Sequence, residues 1–241
     1  MEKINRINPL YEAVKSSSHR VNKIMIQRDT RNRKVEEIVR LAKAKNIPII
    51  FVPKKKLDRL DRNNQGVIAF VSSKEFSSLE SILDSSKLPF LVILDGIEDP
   101  QNLGAIIRTA EGAGVDGIIL PERRASGLTD AVSSVSAGAI EYIKVARVKN
   151  LARTMDVLRE KGVWLVGAEG GGKEHWYDFD YNLPIGLVLG SEGRGLRPLL
   201  KKKCDMILSI PLLGNITSLN VAAAASIFMY EVVRQRKNRL R

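Results

Sequence analysis

Three loops rich in glycine and polar residues each follow a short apolar segment of the chain. They span residues 95–114, residues 189–196 and the opening of the stretch 206–233. Amide, carboxylate, hydroxyl and guanidinium groups in such loops can orient a substrate hydroxyl and stabilise the charge that develops on it. The side chains that carry this chemistry are Asn102, Arg108, Glu111, Glu192, Arg194, Ser218 and Asn220.

The elements that position these loops are predicted from segments that alternate between strand and helix patterns after residue 88. Apolar runs predict strands at 90–94, 117–120, 142–146, 163–167, 185–189 and 206–210, and helices are predicted at 102–113, 129–137, 150–161, 196–203 and 221–236. Such alternation is typical of a mostly parallel sheet covered on both faces. Ligands of these sheets bind at the carboxyl ends of the strands. We therefore expect the three loops to meet at one edge of an α/β fold.

The last loop leads into a helix whose first turns are small and apolar. Thr217 or Ser218 has the side-chain oxygen that a helix N-cap requires. Residues 222–225 are four alanines, which let another backbone approach closely. The stretch is also compatible with an ordinary strand–loop–helix unit.

The first third of the chain predicts a small, strongly basic α/β domain. Its patterns indicate helices at 9–16, 32–46 and 54–60 and strands at 20–27, 47–52 and 66–71. Residues 1–72 hold 17 Lys or Arg against 7 Asp or Glu, whereas residues 88–241 hold 20 against 17. This asymmetry favours a domain that binds a polyanion such as nucleic acid, with a merely solubilising basic surface as the alternative. The serine-rich stretch 73–87 predicts a linker with one helical turn near residues 79–83.

Several classes of protein are not supported by the composition. The single cysteine, Cys204, allows no internal disulfide and indicates a reducing cytosol, and two histidines (His19 and His175) are too few for a typical zinc site. Neither a secretory signal nor an apolar run long enough to span a membrane is present, so we expect a cytoplasmic protein without a membrane partner. Residues 167–173, GAEGGGK, match half of a phosphate loop, but Glu174 stands where Ser or Thr would hold magnesium.

In this order, the three loops resemble the signature motifs of the SpoU/TrmH family, which are RNA ribose 2′-O-methyltransferases of the SPOUT superfamily. The matching segments are DPQNLGAIIRTA at 99–110, LGSEGRGL at 189–196 and IPLLGNITSLNV at 210–221. Residues 149–155 (KNLARTM) and 65–66 (QG) are in addition similar to the RlmB-type enzymes, which methylate a guanosine ribose of bacterial large-subunit rRNA.

The resemblance implies a fold and an assembly that the alternation of elements does not predict. It implies a deep trefoil knot in a catalytic domain at 88–241, preceded by an L30e-like RNA-binding domain at 1–72. It implies a homodimer formed through the C-terminal domain, with the active sites near the dimer interface. It also implies S-adenosylmethionine as the methyl donor, no metal, and large-subunit rRNA as the partner.

The resemblance assigns the site residues by position in the motifs. Arg108 would act on the ribose hydroxyl, and we prefer stabilisation of charge or positioning of a phosphate because its pKa is too high for a general base. Asn102, Glu192, Ser218 and Asn220 would complete the catalytic set. The cofactor would be held by Gly190, Ile210 and Leu219.

Each of these residues also has an ordinary structural interpretation. Arg108 would then be a surface arginine paired with Glu111, and Asn102 and Ser218 would be helix caps. Glu192 would serve only the loop. Two further functions stay open as well, a tRNA ribose methyltransferase with the basic tail 234–241 as its RNA-binding extension, and an inactive RNA-binding or assembly factor.

Overall fold

The computed structural model describes residues 2–16, 20–172 and 174–238, which form two compact units. The first unit contains Met1–Glu75 and Gly127–Tyr142, and the second contains Phe76–Ser126 and Ile143–Arg241. His19, Lys173 and the last residues of the basic tail, 239–241, lie outside the described residues.

Strands and helices alternate along most of the chain. In chain order they are β1 (Glu2–Ile4), α1 (Ile7–Lys15), β2 (Val21–Gln27), α2 (Arg33–Ala44), β3 (Ile49–Val52), α3 (Lys54–Leu60), β4 (Val67–Val71), α4 (Leu79–Leu83), β5 (Phe90–Leu94), α5 (Pro100–Gly112), β6 (Gly117–Pro121), α6 (Asp130–Val135), a 3₁₀ turn (Ala139–Glu141), β7 (Val145–Val148), α7 (Leu151–Glu160), β8 (Trp164–Ala168), β9 (Glu174–His175), β10 (Ile185–Leu189), α8 (Pro198–Lys203), β11 (Met206–Ser209) and α9 (Val221–Asn238).

The first unit is built on a mixed four-stranded sheet in the order β1-β4-β2-β3, in which only β2 and β3 pair in parallel. Helix α2 begins after Asn32, whose side chain accepts a hydrogen bond from Lys34 N at 2.9 Å. Its apolar face buries Val35, Ile38 and Ala42 in the core of the unit, as the periodicity predicts. The polar face leaves the basic residues of the helix in water.

Segment 127–142 belongs to this unit through a buried ion pair. The Arg20 guanidinium donates from Nε to both Glu141 oxygens at 2.9 and 3.1 Å, and Nη2 lies 2.7 Å from Oε1. The two side chains are 5% and 0% exposed. Arg20 Nη1 also donates to the Ser72 carbonyl at 3.0 Å. Removing one partner of such a pair leaves an uncompensated charge in the interior.

The second unit contains a seven-stranded sheet in the order β7-β6-β5-β10-β8-β11-β9, and every pair of neighbouring strands is parallel. The predicted α/β fold with a mostly parallel sheet is therefore confirmed. At its centre Phe90–Leu94 pairs residue by residue with Ile185–Leu189, and all ten residues are buried. Continuous apolar strands of this kind are typical of sheets covered on both faces.

Three short elements were not predicted, namely β1, β9 and the 3₁₀ turn, which offer too few residues for a periodic pattern. In the segment GAEGGGK, Gly167 and Ala168 end β8, and β9 follows at Glu174 instead of the helix that a phosphate loop requires. The serine-rich stretch contains α4, whose Ile82 is fully buried against Gly117.

Cys204 is part of the packing of the second unit. Burial raises the pKa of its thiol to about 12, and the Asp205 carboxylate acts in the same direction. The neighbouring lysines therefore do not activate it as a nucleophile. Within the described residues, no three His, Cys, Asp or Glu side chains are grouped so as to hold a metal ion. None of the helices in that part of the chain is long and apolar enough to cross a membrane.

We expect Arg20→Met to lower the free energy of unfolding by about 3–5 kcal/mol, because the Glu141 carboxylate stays buried without its bidentate partner. Urea unfolding followed by circular dichroism measures this loss. Lys203→Met is the control, since it removes a partly exposed pair with Asp156 that contributes about 0–1 kcal/mol. Equal losses in the two variants would show that the Arg20 pair does not hold the first unit together.

Candidate active site

The predicted site residues lie at the carboxyl edge of the parallel sheet. The loop after β5 begins at Asp95, and the loop after β10 begins at Gly190. Because β5 and β10 are neighbours in register, these loops emerge side by side. The loop after β11 leads to α9, which packs against α5. Thr109 and Ser226 share a hydrogen bond of 3.2 Å between the two helices.

Three of the predicted catalytic side chains form one hydrogen-bonded chain. Asn220 donates from Nδ2 to Asn102 Oδ1 at 2.8 Å, and Asn102 donates from Nδ2 to Glu192 Oε2 at 3.1 Å. Asn220 Oδ1 accepts from the backbone of Ala222 and Ala223 at 3.0 and 3.3 Å, which orients the amide. The chain therefore presents Glu192 as an acceptor. Glu192 Oε1 has no hydrogen bond within the described residues.

The helix caps differ from the sequence predictions. Asn220, not Thr217 or Ser218, caps α9, because the helix begins only at Val221. Helix α5 is capped by Asp99, whose side chain accepts from Gln101 N at 3.0 Å. Asn102 is therefore not a cap, and its amide is available to link the other two loops.

Arg108 lies away from the hydrogen-bonded side chains of Asn220, Asn102 and Glu192. It follows Asn102 by six residues on α5, which places it about 9 Å further along the axis and roughly 120° around it. Its side chain is exposed, and neither an ion pair with Glu111 nor another hydrogen bond is formed within residues 2–16, 20–172 and 174–238. Arg108 also lines neither of the two cavities beside Glu192.

A cavity of about 420 Å³ lies beside Glu192, at the ends of β8, β10 and β11. The three predicted cofactor residues, Gly190, Ile210 and Leu219, all line it. Ser218 lines it as well, exposed and without a hydrogen bond in the part of the chain that the structure describes. Apolar walls with a few polar groups in this size range are typical of small-molecule sites. The other lining residues include Ala168, Leu189, Leu212, Val221 and Phe228.

Position 190 requires glycine because the main chain of residues 195–196 passes too close for a side chain. A Cβ atom there would lie 2.1 Å from the carbonyl carbon of Gly195 and 2.4 Å from Leu196 N. The loop closes tightly because Gly195 N donates to the Ser191 carbonyl at 2.9 Å. Gly193 and Gly195 have positive φ angles of 83° and 64°. A turn requirement alone does not explain Gly190, because the main chain of Gly195 occupies the space that a side chain at position 190 would fill.

Two supporting pairs were missed by sequence reasoning. The buried Asp95 carboxylate accepts from Arg197 Nε at 2.8 and 2.9 Å, which joins the first loop to the second. Glu169 Oε1 lies 2.8 Å from Lys201 Nζ, while its Oε2 is buried beside the cavity without a hydrogen bond within the described residues. An unpaired buried carboxylate oxygen needs a donor, so the cavity fits a ligand with a hydroxyl group. A signal existed for both acids, since each follows a predicted strand.

The chain matches two family models along most of its length. Residues 89–230 match the SpoU rRNA methylase family, and residues 7–77 match the RNA 2′-O ribose methyltransferase substrate-binding family.

Similar proteins extend the match to nearly the whole chain. YacO of Bacillus subtilis, assigned by its name to the TrmH family of tRNA/rRNA methyltransferases, is 43% identical over 95% of this chain and 94% of its own. The SpoU methyltransferase AviRb of Streptomyces viridochromogenes, solved with the cofactor AdoMet, superposes with a TM-score of 0.84 at 26% identity, covering 98% of this chain and 90% of AviRb. An AdoMet-bound rRNA methyltransferase of Sinorhizobium meliloti gives a TM-score of 0.77 at 26% identity, covering 93% and 84%. The chain therefore belongs to the SpoU rRNA methylase family.

Proposed function

We propose that this protein transfers a methyl group from S-adenosylmethionine to a ribose 2′-hydroxyl of RNA. The observation that carries the proposal is the hydrogen-bonded chain of Asn220, Asn102 and Glu192 beside a cavity of about 420 Å³. These residues come from three loops that all lie within the residues matched by the SpoU rRNA methylase family. The related structure of AviRb was solved with AdoMet, and AdoMet is S-adenosylmethionine.

The cavity beside Glu192 would hold the cofactor. Gly190, Ile210 and Leu219 line it, and apolar side chains around them suit an adenine ring. Glu169 Oε2 would accept a hydrogen bond from a ribose hydroxyl, which gives this buried atom the partner it lacks within the described residues. The cofactor supplies an activated methyl group, so the protein supplies position and electrostatics.

The acceptor hydroxyl would be oriented by Glu192. Asn102 donates a hydrogen bond to one oxygen of the Glu192 carboxylate. The other oxygen remains available to accept a hydrogen bond from the ribose hydroxyl or to take up its proton. Ser218, at the rim of the same cavity, would contact the incoming nucleotide. Holding the reacting groups in line contributes about 7–11 kcal/mol at best, which makes placement the main task of these loops.

Arg108 would act from a second copy of the chain. Its exposed position on α5, away from Asn102 on the same helix, fits a role across the interface of a homodimer formed by the second unit. There its charge would stabilise the developing alkoxide or hold a phosphate of the RNA.

The proposal also includes the trefoil knot. Segment 169–184 contacts both β11 and the far end of α9: the Ser209 hydroxyl donates to Gly172 O at 2.9 Å, and Gln235 Oε1 accepts from Tyr181 N at 3.0 Å. A chain threaded through that segment would make both contacts. Of the four alanines at the start of α9, only Ala225 is fully buried, so the tight crossing rests on fewer of them than the sequence suggests.

For the substrate we propose a guanosine of large-subunit rRNA, as in the RlmB-type enzymes. The basic residues 1–72, as an L30e-like domain, would recognise the folded RNA. Residues 73–87 would link the two domains, although helix α4 within them packs in the second unit. Residues 88–241 would carry out methyl transfer, apart from segment 127–142, which belongs to the first unit. The match of residues 7–77 to a substrate-binding family supports this division. The proposal keeps the cytoplasmic location that the single cysteine predicts.

We expect Gly190→Ala to weaken S-adenosylmethionine binding about tenfold or more, because the new Cβ displaces the 191–195 loop at a cost of about 1–3 kcal/mol. Isothermal titration calorimetry measures the affinity. Gly214→Ala is the matched control, since a Cβ at Gly214 meets no atom within 4 Å. Unchanged affinity in Gly190→Ala would place the cofactor elsewhere.

Incubation with methyl-labelled S-adenosylmethionine tests the reaction and the substrate together. We expect ribose label in unmodified large-subunit rRNA, reduced about 10²-fold or more in Arg108→Ala, because one charge-stabilising group is lost. Label in bulk tRNA alone would replace rRNA by tRNA. Neither label nor cofactor binding would favour the inactive RNA-binding or assembly factor.

Mixed dimers test whether Arg108 acts across the interface. We expect Arg108→Ala and Glu192→Gln proteins, each inactive alone, to recover about a quarter of wild-type activity after subunit exchange, because half of the dimers regain one intact site. Methyl transfer to the same rRNA is the readout. No recovery, with subunit exchange verified by native mass spectrometry, would place Arg108 in the site of its own chain.

A further inference from the structure

A further cavity of the second unit has four cations in its lining and lies where β6 and β7 end. It has a volume of about 610 Å³, and the charged residues around it are Arg123, Arg124, Lys149, Arg197 and a single acid, Glu122. We call it the arginine groove. It belongs to the same carboxyl edge of the sheet as the candidate active site.

Three of its cations have no partner of opposite charge among the described residues. Arg123, Arg124 and Lys149 are exposed and form no ion pair or side-chain hydrogen bond within the residues that the structure describes. Arg197 differs, because Asp95 holds it at 2.7 Å. Because the cations of the groove outnumber its one acid, Glu122, they repel one another and the groove attracts an anion.

The groove continues into the candidate active site. Arg124 and Arg197 also line a cavity of about 500 Å³ that is bounded by Asn102 and Glu192. In the order of strand ends, Lys149 follows β7, Arg123 and Arg124 follow β6, and Asn102 lies after β5. A ligand that spans these positions is extended and carries negative charge at intervals.

Two local features add to the positive potential and to the rigidity of the groove. Leu151 and Ala152 begin helix α7 and line the groove, so the positive end of the helix dipole faces it. Arg124 has a φ angle of 60°, a left-handed conformation that an arginine adopts only at some energetic cost. This backbone fixes the direction in which the chain leaves β6.

We propose that the arginine groove binds the phosphodiester backbone of the substrate RNA beside the nucleotide that is methylated. The inference rests on the proposed function and extends it, because it assigns the RNA a path on the second unit. The lining has cations and one exposed leucine, Leu199, but no aromatic ring, so it positions the strand without reading bases. A free small anion would not use cations spread over two strand ends.

The test compares RNA binding by two charge-matched triple variants. Arg123→Gln/Arg124→Gln/Lys149→Gln removes the three unpaired groove cations, and Lys87→Gln/Lys161→Gln/Lys202→Gln removes three exposed cations that do not line the groove. Filter binding to a transcript of unmodified large-subunit rRNA is measured over a range of salt concentrations. For the groove variant we expect about a hundredfold weaker binding at 0.1 M salt and a log–log salt slope reduced by about 2, since each phosphate contact contributes about 0.7. The control should change far less.

Arg124→Gly removes one groove cation without disturbing the fold, because glycine readily adopts the φ angle of 60° at this position. We expect a thermal midpoint that is not lower and a salt slope reduced by about 0.7. Equal affinities and slopes for groove and control variants would overturn the proposal.

Cofactor binding measured by calorimetry separates the two inferences. The groove variant should bind S-adenosylmethionine as wild type does. If wild type neither binds the cofactor nor methylates RNA, while the groove variant still loses RNA affinity, the proposed function fails and the groove stands. If wild type methylates rRNA and the groove variant binds it unchanged, only the groove fails.

Discussion

The parallel pairing of β5 with β10 is the constraint on which the site depends. The two strands are about ninety residues apart in sequence, yet they pair in register along their whole length and are buried on both faces. Their carboxyl ends therefore deliver the Asp95 loop and the Gly190 loop to one point. The Asp95–Arg197 pair then joins the loops, and Asn102 bridges from the first to Glu192 in the second.

Along that edge the chemistry changes in a fixed order. Cations follow β7 and β6, and amides and carboxylates follow β5 and β10. A cavity with both apolar and polar walls opens beside β8 and β11. This order separates the arginine groove from the cavity of the candidate active site, with amides and carboxylates between them. In a parallel sheet, the residues that follow each strand determine this change in side-chain chemistry along the edge. The strands themselves can stay uniformly apolar.

Much of this arrangement is predictable from the sequence, because local patterns determine it. Strand and helix periodicity predicts a parallel sheet, and polar residues after apolar strands predict that Asn102, Glu192 and Asn220 meet. What the sequence does not reveal depends on distant contacts. Glycine at 190 is explained by the backbone of Gly195. Asn220 replaces Ser218 as the cap because its side-chain oxygen faces the backbone N–H groups of Ala222 and Ala223. The orphaned oxygen of Glu169 is visible only once its surroundings are known.

The buried pair of Arg20 and Glu141 has a consequence for the order in which the chain becomes structured during synthesis. Its partners are 121 residues apart. At about 5–20 residues per second, a ribosome takes on the order of 10 s to make the second partner after the first. Until then the nascent first unit contains an arginine whose carboxylate does not yet exist. The charge of Arg20 is thus compensated by Glu141 only after segment 127–142 has been translated.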